Sequence, residues 1–362
     1  MPGIVTHASF IEINGRRIGP GYPAYLVAEM SGNHHKSFDR AVEIIKAAKA
    51  AGADAIKVQT YTADTITLNC EAPDFRIPDN NKWGGRTLYE LYQEASTPWE
   101  WQPRLQKVAV GLGLDFFSSP FDPSAVDFLE QMQVPAYKVA SFELVDVPLI
   151  QRIARTGKPI IMSTGMASLE EIREAVEAAH EAGGKQLALL KCTSAYPAPH
   201  EEMNLSAIPH LARVFGVPVG LSDHTLDPAI AIAAVALGAS IVEKHLILSR
   251  TESGPDASFS LEPHEFRELT RSIRTVERAK GCDRYTVTDE ESKNRLFRRS
   301  LYVVADVKAG ELFTEGNVRS IRPAYGLAPR HLPEVLGCRS ACDIRRGTPM
   351  SWDLVANRGA RS

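Results

Sequence analysis

The sequence predicts an α/β fold, a (β/α)8 TIM barrel followed by a small C-terminal domain. Eight short apolar runs alternate with helical stretches between residues 25 and 281, and barrels of this type have that rhythm and a size of about 250 residues. A doubly wound open sheet would show the same alternation. The count of eight favours the barrel, and so does the lack of a G-x-G-x-x-G segment after the first run.

The eight apolar runs are the predicted strands. They cover residues 25–30, 55–61, 114–118, 136–140, 159–163, 187–192, 217–221 and 240–245. Residues 38–51, 169–182 and 264–280 carry apolar side chains at i, i+3 and i+4, which predicts helices. Glycine follows the first two of these stretches, at Gly52 and Gly183, as expected where a helix ends.

One connection is too long to be a turn. Residues 62–94, after the second predicted strand, are rich in Asp, Asn, Pro and Gly and carry Phe75, Trp83 and Tyr89. Long segments inside a compact domain are commonly lids or binding loops. Because the carboxyl ends of barrel strands form the active face, we predict that this insertion recognises substrate, in preference to a solvated excursion.

The pattern changes after the barrel. The predicted organisation is a barrel domain over residues 1–281, a polar linker over 282–295 and a compact module over 296–362. Within the module, residues 305–312 are echoed by residues 342–349, with Asp and Gly both displaced by 37 positions. Each copy predicts a short strand and a turn.

Bulk composition excludes several classes of function. With a net charge of −3 and 44% hydrophobic residues, the chain has no charge excess that nucleic acid or an anionic membrane would attract. Its most apolar stretch, residues 229–241, is shorter than the ~20 residues of a membrane span. The N-terminal residues lack a signal-peptide pattern, and the five cysteines are an odd number. We therefore expect a cytoplasmic protein with reduced thiols and with neither nucleic acid nor membrane as partner.

Two histidines predict a metal site. His224 and His245 each end an apolar run, and one helical stretch separates the two runs. Because consecutive barrel strands end on the same face, imidazoles 21 positions apart can converge on one ion. Imidazole binds zinc, manganese, iron and cobalt, so the pair predicts a divalent metal without naming it. A structural hydrogen-bonding role for each ring is the alternative.

Other polar side chains lie at or just beyond the ends of the predicted strands. Glu29 ends the first strand and is a candidate acid or base. The others are Lys57, Gln59, Ser119, Lys138, Ser141, Glu143, Ser163, Ser194, Tyr196 and Ser222. Two lysines among hydroxyls and glycine turns are typical of a receptor for phosphate or carboxylate. Each residue has a structural explanation alone, but together at one barrel mouth they predict an anionic substrate.

The lysines leave a second mechanism open. Lys57 or Lys138 could be the nucleophile of a metal-free, Schiff-base aldolase, which also makes carbon–carbon bonds. The histidine pair favours the metal-dependent mechanism. A barrel that has lost catalysis and binds glycans through its C-terminal module is a third hypothesis, disfavoured by the intact set of Glu, Lys and His residues.

Several motifs resemble those of the sialic acid synthases, which condense phosphoenolpyruvate with an amino sugar. They are Asn33-His34, Lys57-Val58-Gln59-Thr60, Tyr137-Lys138-Val139-Ala140-Ser141, Ser163-Thr164-Gly165-Met166, Gly220-Leu221-Ser222-Asp223-His224-Thr225 and Glu243-Lys244-His245. The terminal module, with Ile321-Arg322-Pro323, resembles the antifreeze-like (SAF) domain of that family. The resemblance spans about residues 20–355 and implies a transferase.

The resemblance also implies a role for each matching residue. Phosphoenolpyruvate would be held by Lys57, Ser119, Lys138, Ser141, Ser163, Ser194 and Ser222. His224 and His245 would bind manganese, with magnesium or cobalt as alternatives, and Glu29 would be the acid or base nearest the reacting water. The substrate contacts would also include Gln59, Glu143, Tyr196, Asp256 and, from the partner subunit of a domain-swapped homodimer, Arg322.

Segments in and around the insertion resemble the pseudaminic acid branch of the family. They are residues 59–65, 88–92, 97–101 and 118–122. This branch implies 2,4-diacetamido-2,4,6-trideoxy-L-altrose as the acceptor sugar. The N-acetylneuraminate and legionaminate branches are the alternatives. N-acetylneuraminate synthases often carry Asn where this chain has Ser194.

Overall fold

The computed structural model describes residues 10–79, 81–281 and 285–356. The chain divides into two compact units, Met1–Gly281 and Cys282–Ser362. Along the described residues, no helix is both long enough and apolar enough to cross a lipid bilayer.

Twelve strands and twelve α-helices make up the regular structure of the described residues. The strands are β1 Ile11–Ile13, β2 Arg16–Ile18, β3 Tyr25–Glu29, β4 Ala55–Thr60, β5 Asp115–Pro120, β6 Tyr137–Val139, β7 Ile160–Ser163, β8 Leu187–Cys192, β9 Val219–Asp223, β10 Ile241–His245, β11 Ser300–Val303 and β12 Val318–Ile321. The helices are α1 Phe38–Ala50, α2 Ala63–Ile66, α3 Leu88–Ala95, α4 Gln102–Gly111, α5 Pro123–Gln131, α6 Val147–Ala154, α7 Leu169–Glu181, α8 Ala207–Phe215, α9 Pro228–Ala236, α10 Pro263–Lys280, α11 Asp289–Asn294 and α12 Leu332–Val335.

The predicted barrel is confirmed. Strands β3 to β10 pair in chain order, all in parallel, and β10 pairs with β3 to close the sheet. The predicted strand over residues 217–221 is shifted, because β9 begins at Val219 and continues to Asp223. Pro218 has no N–H to give to the sheet, so the ladder starts after it. The shift carries Ser222 and Asp223 into the strand.

A short hairpin that the sequence analysis did not predict covers the N-terminal end of the barrel. Strands β1 and β2 pair antiparallel and bury Ile11, Ile13 and Ile18 in one cluster with residues of the barrel interior. Asp54 connects β2, β3 and α10 at this end of the barrel. Its carboxylate accepts hydrogen bonds from Arg16 at 2.5 Å, from Arg274 at 3.1 Å and from the backbone N–H of Leu26 at 2.8 Å.

Replacing Asp54 with Ala is expected to destabilise the barrel by about 1–3 kcal/mol, because three donors, two of them guanidinium groups, lose their acceptor. Urea denaturation followed by circular dichroism measures the loss. The exposed Glu177 of α7 offers a matched control, since Glu177→Ala removes a carboxylate that only solvent surrounds. Equal midpoints for the two variants would contradict the assignment.

The insertion over residues 62–94 is more ordered than the predicted loop. It contains α2, a 3-10 turn at Pro73–Phe75 and most of α3. Thr62 and Thr87 each accept a bond from the third helical residue, whose side chain bonds back to the N-terminal cap. Such capping boxes satisfy free N–H groups at the start of a helix, which explains short helices in a polar segment.

The second unit has its own small core and its own antiparallel pair, β11 and β12. The core is built from Leu301, Val303, Val307, Phe313, Val318, Val335, Ile344, Met350 and Val355. The segment predicted as a polar linker, residues 282–295, holds the short helix α11. A capping box between Thr288 and Glu291 starts this helix.

The sequence repeat in the second unit corresponds to a local two-fold arrangement. Val307 of the first copy pairs with Ile344 of the second in an antiparallel bridge, and each copy forms only isolated bridges and not the predicted strand. Asp306 accepts a hydrogen bond from the N–H of Arg346 at 2.7 Å. Asp343 accepts the equivalent bond from Ala309 at 2.9 Å. The two copies of the repeat therefore pair with each other.

Candidate active site

A cavity of about 650 Å³ lies at the carboxyl ends of the barrel strands. Most of the predicted site residues line it, namely Lys57, Gln59, Lys138, Ser141, Glu143, Ser163, Tyr196, Ser222, His224, His245 and Asp256. Glu29 and Ser119 are fully buried and contact Lys57. Ser194 lies beside Gly165. Arg322 is exposed, immediately after β12 in the second unit.

Lys57 is the centre of a buried charge cluster. Its ammonium lies 3.0 Å from a carboxylate oxygen of Glu29 and 3.3 Å from one of Glu243. It also donates to the hydroxyl of Ser119 at 3.3 Å. Burial opposes the charge on Lys57, but the two carboxylates outweigh it and raise the pKa of this lysine. Lys57 therefore stays protonated, as an anion-binding residue must.

The two carboxylates of the cluster differ in proton affinity. Burial raises the pKa of Glu29, and Glu243 adds to the effect, although Lys57 opposes it. For Glu243, burial opposes ionisation, but Lys138 and Lys57 outweigh it and lower the pKa. Two neighbouring carboxylates whose pKa values separate are typical of an acid or base beside a permanent charge. Glu29 therefore holds a proton more readily than Glu243 does.

Hydrogen bonds hold the Glu29 carboxyl in place. One oxygen accepts from the side-chain amide of Gln59 at 3.1 Å and from the backbone N–H of Ser31 at 3.1 Å. The Gln59 amide also donates to the Ser31 hydroxyl at 3.1 Å. Gln59 lies two residues beyond Lys57 on β4, so both side chains point to the same face of the strand.

Lys138 is a second buried ammonium without a carboxylate partner within ion-pair distance among the described residues. It donates to the hydroxyl of Ser163 at 2.6 Å and to the carbonyl of Val139 at 2.9 Å. Burial lowers the pKa of Lys138 to about 8. A buried cation whose hydrogen-bond partners are neutral can stabilise an incoming anion strongly, although Glu243 already attracts Lys138 from beyond ion-pair distance.

Gly165 brings two hydroxyls close to the backbone. Its N–H donates to the hydroxyl of Ser141 at 3.1 Å. A Cβ atom at this position would lie 2.1 Å from the Ser194 oxygen and 2.7 Å from the Ser141 oxygen. A side chain at this position would therefore force both serine hydroxyls to move away from the turn after β7.

His224 and His245 converge as the sequence analysis expected, with ring centroids 5.5 Å apart. Nδ1 of His224 lies 3.0 Å from the carbonyl oxygen of Thr193. Because a carbonyl only accepts hydrogen bonds, Nδ1 carries the proton and Nε2 keeps its lone pair. Burial lowers the pKa of His245, so this ring is neutral, and its buried Nδ1 has no hydrogen-bond partner among the described residues.

These features fit a divalent ion. A metal-binding histidine usually donates its other N–H to a carbonyl or carboxylate, as His224 does. Burial opposes a charge on His224, but Cys192 and the Thr193 carbonyl outweigh it and raise its pKa, so a divalent ion would bind this ring better as the pH rises and the ring becomes neutral. Within the described ranges, no group of three or more His, Cys, Asp and Glu residues is arranged to hold a metal. The pair therefore supplies two nitrogen ligands and leaves the other positions open.

Aromatic rings cover the histidines. Phe259 lies edge-on to His245, with centroids 4.8 Å apart, and Tyr196 lies 4.5 Å from His224. Trp83 of the insertion packs on Tyr196 at 5.5 Å and donates its indole N–H to the carbonyl of Pro255 at 2.9 Å. The insertion therefore reaches the cavity, where it can contact a bound substrate.

Two residues of this site were missed by the sequence analysis. Glu243 lies two residues before His245 on β10, and the strand period of two was a usable signal for its inward position. Cys192 ends β8 and its sulfur lies 4.0 Å from Nδ1 of His224. Burial favours the thiol, but His224 outweighs it and lowers the pKa of Cys192 to about 7. Nothing in the sequence distinguishes this cysteine from a core residue.

Similarity to known proteins agrees with the site. The SAF domain model matches residues 298–356. A protein named pseudaminic acid synthase from Campylobacter jejuni is 44% identical over 89% of this chain and 94% of its own length. A protein of the same name from Helicobacter pylori is 41% identical over 92% of this chain and 98% of its own.

A solved structure agrees as well. The N-acetylneuraminic acid (sialic acid) synthetase of Leptospira borgpetersenii superposes with a TM-score of 0.70 at 29% identity, covering 79% of this chain and 95% of that one. The resemblance to sialic acid synthases and the SAF assignment of the terminal module are thereby confirmed. Since the NeuB family model matches residues 44–285, which include every barrel site residue named above except Glu29 and Ser31, the chain belongs to the NeuB family.

Proposed function

We propose that this protein is a pseudaminic acid synthase. It condenses phosphoenolpyruvate with 2,4-diacetamido-2,4,6-trideoxy-L-altrose to form pseudaminic acid and phosphate. The observation that carries the proposal is the cavity itself, which two buried lysines line beneath an aromatic insertion, with the buried Glu29 in contact with one of the lysines. Similarity to the pseudaminic acid synthases of two bacteria, at 41% and 44% identity, supports the choice of branch.

In the proposal, the floor of the cavity binds phosphoenolpyruvate. Lys57 and Lys138 supply the two cations, and the hydroxyls of Ser141, Ser163 and Ser222 are within the lining to donate to carboxylate or phosphate oxygens. Lysines that are already placed need no rearrangement as charge develops in the transition state. Ser119 orients Lys57, and Ser194 supports the turn at the cavity edge.

The reaction forms one carbon–carbon bond and breaks one carbon–oxygen bond. C3 of phosphoenolpyruvate adds to the sugar aldehyde, whose oxygen takes up a proton, and water adds to C2. The C2–O bond to phosphate then breaks, so water supplies the oxygen of the new keto group. In the proposal, Glu29 accepts the proton of the attacking water, and burial, which raises its pKa, makes it a better base than an exposed carboxylate.

We propose that His224 and His245 hold a divalent ion, with manganese as the first candidate and magnesium or cobalt as alternatives. Held by these two residues, such an ion would supply Lewis-acid chemistry for the sugar aldehyde. In their neutral form the two imidazoles are nitrogen donors of the type these metals accept, and the Thr193 carbonyl orients one of them.

The sugar would occupy the upper part of the cavity. One carboxylate oxygen of Asp256 accepts a hydrogen bond from the backbone N–H of Gly32 at 3.3 Å. Glu143 has a buried carboxylate oxygen without a hydrogen-bond partner among the described residues, and burial raises its pKa to about 7. Together with Tyr196 and Trp83, these groups offer acceptors and aromatic faces for hydroxyl and acetamido groups.

Phosphate release tests the proposal and its alternatives together. Phosphoenolpyruvate and manganese are supplied with the diacetamido-trideoxy-altrose, with N-acetylmannosamine or with the legionaminic acid precursor, each with and without EDTA. Metal-dependent release with the altrose alone is the expected result. Release with another sugar alone would keep the reaction and overturn the branch. Activity that EDTA leaves unchanged would show that the reaction needs no divalent metal.

A Schiff-base enzyme is the second candidate, because Lys138 is buried with a pKa lowered to about 8. Borohydride reduction in the presence of substrate distinguishes the two mechanisms. The metal-dependent proposal expects no covalent adduct and intact protein mass. A stable adduct at Lys138, located by peptide mapping, would favour the Schiff base.

The pH profile should report the charge on Lys138. Because its pKa is about 8, the ammonium is lost as the pH rises through that value. kcat/KM for phosphoenolpyruvate should then fall by about tenfold per pH unit on the alkaline side. Lys138→Arg keeps its charge at every accessible pH, so the alkaline fall should disappear in whatever activity that variant retains. An unchanged alkaline limb would assign the fall to another group.

Arg322 is proposed to contact the sugar from the partner subunit of a homodimer. Replacing it with Ala should raise KM for the sugar at least about tenfold, the effect of losing one charged hydrogen bond, with little change in KM for phosphoenolpyruvate. Arg319 is a matched control, since it is also an exposed arginine of the same segment. Equal effects on KM for both substrates would show that Arg322 does not contact the sugar.

The cytoplasmic location of the protein also stays a prediction.

A further inference from the structure

A buried ion pair lies on the opposite face of the strands that carry the two histidines. The ammonium of Lys244 is 2.9 Å from a carboxylate oxygen of Asp223, and both side chains are 0% exposed. Asp223 and Lys244 are direct partners in the pairing of β9 with β10. Their neighbours on each strand line the cavity, whereas they do not. Alternation along a strand explains the separation of the two sets.

The pair also holds the residue after His224. The second oxygen of Asp223 accepts a hydrogen bond from the N–H of Thr225 at 2.8 Å. Lys244 donates a second hydrogen bond to the carbonyl of Thr225. His224 is therefore bracketed on both sides by groups bonded to the pair. His245 follows Lys244 directly.

Stability is a weak reason for such a pair. Removing two charges from water carries a desolvation penalty that their attraction often fails to offset, and apolar side chains of similar volume commonly do as well. A pair that contributes little net stability, yet connects two strand ends and the turn beyond one of them, has another use. It fixes the relative position of those ends.

We propose that Asp223 and Lys244 are positioning residues that hold the imidazoles of His224 and His245 in their converged arrangement. The pair keeps the end of β9 and the end of β10 in register and holds the turn at Thr225. Nδ1 of His224 then stays on the Thr193 carbonyl, and Nε2 stays directed away from it. The inference rests on the proposed function in so far as the converged rings serve a divalent ion.

The test uses an apolar replacement of both charges. Asp223→Leu combined with Lys244→Met leaves no unpaired charge in the core, so the double variant should fold. Its urea midpoint should lie moderately below that of the parent protein, because the N–H and the carbonyl of Thr225 lose their side-chain partners. Either single substitution leaves one buried charge without a partner and should lower the urea midpoint more than the double substitution does. The single variants thus show the cost of an unpaired charge, and the double variant isolates positioning.

Two readouts follow the imidazoles. The first is manganese affinity by titration calorimetry on the full chain, which should weaken about 10–100-fold in the double variant, the effect known for residues that orient metal ligands. The second is the tautomer of His224 from long-range proton–nitrogen NMR spectra of protein with labelled histidine, assigned with His224→Ala. The parent protein should show a single Nδ1–H form, and the double variant a mixture.

Asp54→Ala is the matched control, because Asp54 pairs with two arginines at the opposite end of the barrel. It should lower the urea midpoint and leave both readouts unchanged. A folded double variant with the parent manganese affinity and a single Nδ1–H tautomer would overturn the proposal. So would a loss of affinity of the same size in Asp54→Ala. If the parent protein binds no manganese, the metal assignment fails, and the tautomer alone decides whether the pair positions His224.

Discussion

Replacing Lys57 with Met is expected to lower turnover by about 10²–10³-fold and to destabilise the fold by about 3–5 kcal/mol. The loss of activity follows from removing one of two preorganised cations. The loss of stability follows from the position of this lysine between Glu29 and Glu243, at 3.0 and 3.3 Å. Without it, two carboxylates share a buried site, and one must take up a proton or remain unpaired.

A second substitution separates the two effects. Glu243→Gln in the Lys57→Met background removes one of the stranded charges, so the urea midpoint should recover in part while turnover stays low. Lys138→Met is the matched comparison, since Lys138 has no carboxylate within ion-pair distance among the described residues and its loss should affect activity far more than stability. A Lys57→Met protein as stable as the parent would contradict the buried cluster.

Replacing His224 with Ala is expected to abolish most of the manganese-dependent turnover, by about 10³-fold. Losing a Lewis acid withdraws several kcal/mol of charge stabilisation from the transition state, and each 1.36 kcal/mol corresponds to about tenfold in rate. Manganese affinity measured by calorimetry should fall with it. The fold should be retained, because the ring is replaced at the edge of a cavity and not in the packed core.

The control for this variant is His210→Ala on the exposed face of α8, which should keep full activity and full metal affinity. His245→Ala should behave as His224→Ala does, and the double variant should be little worse than either, since ligands that act as a unit are not additive. Full activity of His224→Ala in EDTA-treated solution would exclude the ligand role.

Periodicity predicted the strands and the inward direction of several site residues. Lys57 and Gln59 were placed on one face of β4 by the period of two, and both line the cavity. The same period applied to β10 would have found Glu243, but an acidic residue in an apolar run carried no sign of its partner. That partner is Lys57, which is distant in the chain and adjacent only after the barrel closes.

Long-range contacts account for the other differences. The hairpin of β1 and β2 has only three residues in each strand, too few for a periodic signal, and gains its stability from burying isoleucines against the barrel. The short helices of the insertion depend on capping boxes, and the polar composition of the segment gave no apolar periodicity from which to predict them. The sequence repeat was visible, whereas its reciprocal aspartate bonds were not.

The fold class and the chemical type of the site follow from local pattern, because alternation and strand-end polarity are properties of neighbouring residues in the chain. The charge state of that site depends on distances between strands. Burial and the neighbouring Glu243 raise the pKa of Glu29 against the opposing effect of Lys57, and burial lowers the pKa of Lys138 against the opposing effect of Glu243. Desolvation and Coulomb interactions act through space, so only the closed barrel sets which carboxyl exchanges a proton and which lysine remains free for an anion.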